Sequence, residues 1–168
     1  MKTTRRLIAL TLAAALSCGV TRADEARPKD QWFGDWVLHC SRAEADQNSC
    51  ALHQKIISSE TRLPVAAFAI ARNKQGRDLR LAVILPLGLD IPAGVSGKAG
   101  AVPVAFTIQT CVRRGCIASV QVDDKLLEAL HGPASFTTTF KMRSVESPTT
   151  LSMSLNGLND GLKVLETK

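Results

Sequence analysis

The chain has 168 residues with 21 basic and 15 acidic side chains, a formal charge of +6, two Trp, five Phe and no Tyr. Four of the cations (Lys2, Arg5, Arg6, Arg22) and none of the acids fall in the first 23 residues, so the remainder carries 17 against 15, a charge of +2. A nearly neutral body with few aromatics has neither the basic stripe nor the stacking platform of a nucleic-acid binder, and that class is set aside.

Residues 1–23 read as an export signal. Lys2, Arg5 and Arg6 form a cationic start, Leu7 to Leu16 is an apolar stretch too short to span a bilayer, and Thr21-Arg22-Ala23 puts small residues where a signal peptidase reads. Cleavage after Ala23 is expected, leaving 145 residues that start at Asp24 and lack Cys18. Lipoprotein processing at Cys18 is the competing outcome, disfavoured because Ala15-Leu16-Ser17 places leucine one position too late. Residues 24–31 are polar, contain Pro28 and lack periodicity, which predicts a flexible tether ahead of one folded domain over 32–168.

From Trp32 onward the pattern is one of short β-type runs separated by Gly, Pro, Asn and Asp. Eight are expected: Trp36 to Cys40, Cys50 to Ser58, Val65 to Arg72, Asp78 to Leu85, Pro103 to Thr110, Cys116 to Val122, Ser135 to Arg143 and Thr149 to Leu155. Such spacing predicts a sandwich or barrel. Two segments carry helical spacing instead. Asp123-Asp124 opens a stretch with Leu126, Leu127 and Leu130 on one face and Gly132-Pro133 as its stop, and Leu158, Leu162 and Leu165 follow Asn156, which is expected to cap a second helix. No apolar run after the signal is long enough to cross a membrane as a helix.

If Cys40 and Cys50 stand opposite each other in an antiparallel pair, Leu38 faces Leu52 and Trp36 faces Gln54. The period of two then places Trp36, Leu38, Leu52, Ile56 and the bridge on the core side. His39, His53 and Lys55 fall on the other face, with the two histidines diagonal to each other. Zinc wants four ligands, and two exposed histidines with the nearby thiols on the opposite face do not supply them, so no metal site is expected. His131, at the end of the first helix, reads as a cation at a helix C-terminus.

Cys111-Val-Arg-Arg-Gly-Cys116 is a tight turn with Gly115 free to take a positive φ and Arg113 and Arg114 at its tip. Its spacing is wider than that of a Cys-x-x-Cys redox motif, and strands flank it instead of a helix start. Direct opposition of Cys111 and Cys116 mixes the two faces further along, with Phe106 against Gln121, so a bulge or shifted register is expected nearby. Catalytic motifs are not visible: there is no Gly-x-Ser-x-Gly elbow, phosphate-cradling glycine loop or His-Glu-x-x-His, and Asp123-Asp124 is explained as a helix cap and dipole partner.

Taken in order, Phe33-Gly34-Asp35-Trp36 leading to Cys40, Cys50-Ala51-Leu52, Leu85-Pro86-Leu87-Gly88, Ile91-Pro92-Ala93-Gly94-Val95, Cys111 and Gly115-Cys116, Asp123-Asp124 before Leu126-Leu127, and Ser154-Leu155 with Gly157-Leu158 resemble the invasion-associated locus B family. The resemblance implies a bacterial exported protein, a single immunoglobulin-like β-sandwich with one or two short helices, and a part in invasion of host cells without an established enzymatic activity. It also implies two local disulfides, Cys40 with Cys50 and Cys111 with Cys116. The low chain-entropy cost of joining near neighbours favours the same pairing.

The expectation is thus a non-enzymatic periplasmic protein, surface-associated or secreted, that uses no cofactor and binds an unknown protein partner in host interaction or envelope maintenance. The Arg113-Arg114 tip is its candidate contact with an acidic surface, a merely solvated turn being the alternative. An envelope enzyme or small-ligand binder with a loop-built site is the competing function.

Overall fold

The computed structural model describes residues 30–42, 48–73, 78–132 and 135–167. The expected signal segment with Cys18, and the expected tether up to residue 29, lie outside the described residues. Ten strands form one curled antiparallel sheet: β1 Gln31–Phe33, β2 Trp36–Arg42, β3 Asn48–Ile57, β4 Pro64–Arg72, β5 Leu79–Leu85, β6 Val95–Ala99, β7 Val102–Val112, β8 Gly115–Val122, β9 Ser135–Phe140 and β10 Thr149–Ser154. Their order across the sheet is β1-β2-β3-β4-β5-β8-β7-β6-β9-β10. Two helices complete the domain, α1 Asp124–His131 and α2 Leu158–Glu166.

The eight expected runs are all strands. Two strands were not expected, β1 and β6. Gln31, read as the end of the tether, is the first residue of β1, which exists because Gly34 and Asp35 turn the chain so that Phe33 lies opposite Trp36. Strand β6 is Val-Ser-Gly-Lys-Ala, with weak intrinsic β-propensity at its centre. It is held by neighbours on both sides, β7 and β9, and it buries Val95 and Ala99. Gly97 serves packing here: a Cβ there would stand 2.5 Å from Cζ of Phe136 and 3.0 Å from Cε2 of Phe106. Those two rings meet edge to face with centroids 6.1 Å apart.

Strand β7 belongs to both halves of the sheet. Residues 102–106 pair with β6, whereas Thr107 onward pairs with β8. The register slips between Ile108 and Thr110, so Gln109 is the extra residue of a bulge and the strand bends there. This is the bulge expected from the Cys111–Cys116 opposition. Two layers sharing β7 are compatible with an immunoglobulin-like sandwich; the observed arrangement is the single curled sheet.

One core runs through both halves. Trp36, Phe68, Ile70, Leu81 and Val83 come from one half and Phe136 and Met153 from the other, all fully buried. Helix α1 seats Leu126 and Leu130 in this core, and Asp123 caps it by accepting from the Leu126 N–H at 2.8 Å. Helix α2 seats Leu158, Leu162 and Leu165, but its cap is Gly157 and not the expected Asn156. The Asn156 carbonyl instead accepts from the Asp35 N–H at 3.2 Å, tying the β1–β2 turn to the start of α2.

Candidate contact site

The register of β2 against β3 is the expected one: Cys40 lies opposite Cys50, Leu38 opposite Leu52 and Val37 opposite His53. Cys40 and Cys50 are bonded and half-buried, packed against the core's margin and not within it. Strands β2 and β3 stay paired out to Arg42 and Asn48, so the bridge lies near the outer end of this pair, against the core's margin instead of inside it as expected.

The second bridge, Cys111–Cys116, joins an exposed sulfur-bearing residue to one that is 2% exposed. Cys111 lies opposite Cys116 and Val112 opposite Gly115, leaving Arg113 and Arg114 as the turn. Gly115 is required: its φ is +137°, and a Cβ would come within 2.4 Å of the Leu85 carbonyl oxygen. The tip is therefore pressed against the end of β5 at its base, while both arginines are exposed. A bridge across six residues fixes the turn before any contact is made, which lowers the entropy cost of binding.

On the outward face of β2 and β3, His39 Nδ1 stands 2.6 Å from Asp30 Oδ1, and both side chains are exposed. His53 is half-buried, and burial together with the neighbouring His39 lowers its pKa, Lys55 adding to the shift and Asp30 opposing it. Among the described residues no group of three or more His, Cys, Asp and Glu is placed to hold a metal ion. A shallow depression of about 250 Å³ lies between β7, β8 and α1, lined in part by Pro103, Gln121, Asp123 and Lys125. It falls below the usual range for small-molecule sites, about 300–1,000 Å³, and its carboxylate is already engaged in capping α1.

Sequence reasoning missed one surface feature. Exposed aliphatic side chains gather at the end of the molecule that carries the arginine tip, although their positions run from Ile57 to Val145. No local signal could reveal this, because the side chains come from four separate stretches of chain: Ile57 with Leu63, Leu87 with Ile91, Val112, and Val145.

A disulfide-reinforced antiparallel β domain with a fixed cationic turn is the class of protein these features define. The family model of invasion associated locus B (IalB) protein matches residues 36–166, and the chain belongs to that family. Two invasion protein B homologs of Brucella abortus, from strain 2308 and from biovar 1 strain 9-941, are each 28% identical over 151 residues, covering 89% of this chain and 83% of theirs. The crystal structure of invasion associated protein B from Bartonella henselae superposes with a TM-score of 0.74 at 22% identity, covering 83% of this chain and 96% of that one. That likeness shows the fold. No helix among the described residues is long and apolar enough to cross a membrane.

Proposed function

We propose that the protein is exported through cleavage of residues 1–23 and acts in the periplasm or at the cell surface as a protein-binding domain, without catalysis. Its role is host-cell interaction or envelope maintenance, in keeping with relatives named as invasion proteins. Two disulfides fit an oxidising compartment. The observation that carries the reading is the Cys111–Cys116 turn, which holds Arg113 and Arg114 out from a rigid base. An acidic protein surface is the partner such a pair of guanidinium groups meets best.

Crosslinking in intact cells followed by purification from envelope fractions tests this. A specific protein partner should be recovered with the mature form, and its recovery should fall when Arg113 and Arg114 are both replaced by Ser. Recovery of the protein from the cytosol with residues 1–23 still attached would overturn the export step.

A further inference from the structure

Seven large apolar side chains are exposed among the described residues, and six of them, Ile57, Leu63, Leu87, Ile91, Val112 and Val145, lie at one end of the fold. Strand pairing places them there. Strand β3 ends at Ile57 opposite Pro64, where β4 begins, and Ala67 of β4 lies opposite Ile84 near the end of β5. Leu85 lies opposite Cys116, so the β7–β8 turn emerges beside the chain leaving β5. That chain is then stitched to the one leaving β9: Leu89 bridges Met142, the Arg143 N–H donates to the Gly88 carbonyl at 2.9 Å, and the Asp90 N–H donates to the Lys141 carbonyl at 2.9 Å. Each of the six is between 46% and 63% exposed, so none is a core residue showing an edge. Trp32, the seventh, stands apart on β1 opposite Val37.

The same connections hold five cations, Arg62, Arg113, Arg114, Lys141 and Arg143, against three carboxylates, Glu60, Asp90 and Glu146. Among the described residues none of the five cations is in an ion pair. Arg62 is also the one described residue other than glycine with a positive φ, 58°. A turn made by Ser58 and Leu63 holds it, with the Ser58 N–H donating to the Leu63 carbonyl at 3.0 Å and the Arg62 N–H to the Ser58 carbonyl at 3.0 Å. Left-handed backbone at a side chain of this size is uncommon and gathers where the surrounding structure serves a contact.

Scattered exposed leucines need no explanation, whereas clustering on one end does. The geometry points to a single contact surface spanning this whole end, which takes a protein partner presenting an apolar patch set among carboxylates. This rests on the reading of the Arg113–Arg114 tip given above and extends it to the aliphatic side chains beside it. Charge selects the occupant. A second copy of the chain sets cation-rich surfaces against each other, and an anionic bilayer meets Glu60, Asp90 and Glu146 as well as the cations, while a protein partner can match each charge singly.

Photoreactive p-benzoylphenylalanine placed at Leu87, at Arg114 and at the far-end control Lys125, one at a time in the full chain in its native bacterium, tests the surface. The same polypeptide should be captured at 87 and 114 and not at 125, through a partner peptide carrying Asp or Glu. With that partner purified, L87S/I91S and R113S/R114S should each weaken binding at least tenfold, with unchanged thermal unfolding of both variants. Capture at 114 without 87, or full binding by L87S/I91S, overturns the extended surface while leaving the arginine tip standing. Capture of a second copy, no capture at any position, or tight binding to phosphatidylglycerol vesicles that L87S/I91S abolishes, overturns the extended surface and the tip reading together.

Discussion

The side-chain amide of Gln54 pairs with the backbone of Ser154 as a neighbouring strand would. Its Nε2 donates to the Ser154 carbonyl at 3.0 Å, and its Oε1 accepts from the Ser154 N–H at 2.8 Å, across 100 residues of chain. The Trp36 indole N–H donates to the same carbonyl at 2.9 Å. Gln54 is 5% exposed, so β10 is joined to β2 and β3 through a buried polar clasp, and the ends of the curled sheet are held by two core-facing side chains.

Replacing Gln54 by Leu keeps the volume roughly but strands the Ser154 N–H without a partner. A buried unpaired donor costs about 1–3 kcal/mol, and the lost clasp adds to it, so Q54L should lower stability by about 2–4 kcal/mol. Urea unfolding checks this through a lower midpoint with an unchanged slope.

Gly97→Ala should destabilise by about 1–3 kcal/mol, because the new methyl meets the edges of two buried rings. Pairing it with Phe136→Leu should cost less than the two changes summed, since the smaller side chain makes room. A double-mutant cycle by thermal unfolding reads the difference.

Each disulfide should add roughly 2–3 kcal/mol, with the Cys40–Cys50 bridge worth more than Cys111–Cys116 because its loop is longer. Peptide mapping without reduction should return only these two pairs from residues 24–168. Reduction should weaken the fold and leave it standing, since the apolar core does not depend on either bridge.

The lowered pKa of His53 makes the unfolded chain the stronger proton binder. Stability from neutral His53 is therefore full above the ordinary histidine value of about 6.5 and is lost as pH falls below it toward the lowered folded value. Unfolding measured between pH 7.5 and 5 should show this loss, and His53→Gln should flatten part of it. Asp30, His39 and Lys55 act on the same ring and are present in both proteins, so the difference reports His53 together with its coupling to them.

Much of the fold was legible because its signals are local. Alternation of apolar residues located eight strands, and the cysteine opposition set the register from Val37 to Cys50 and implied the bulge that falls at Gln109. Strands β1 and β6 were hidden for opposite reasons: β1 is three residues long, and β6 owes its place to β7 and β9 and not to its own composition. The cap of α2 is Gly157, in left-handed backbone at φ +81°, while the Asn156 backbone one residue earlier is tied to Asp35 and to the Ser154 hydroxyl. At the candidate site, the arginine turn was legible from six consecutive residues. The aliphatic end was not, because strand pairing and the Leu89–Met142 stitch, both long-range, are what bring residues 57 and 145 to the same end of the fold as the tip.

Affinity for the partner recovered by crosslinking, compared between the wild type and R113S/R114S at low and high salt, tests the central claim most directly. The account predicts at least a tenfold loss in the variant at low salt, a smaller difference at high salt, and thermal stability within about 0.5 kcal/mol of wild type, as exposed substitutions usually give. Equal affinity of the two proteins at low salt would contradict it and leave Arg113 and Arg114 as a solvated turn.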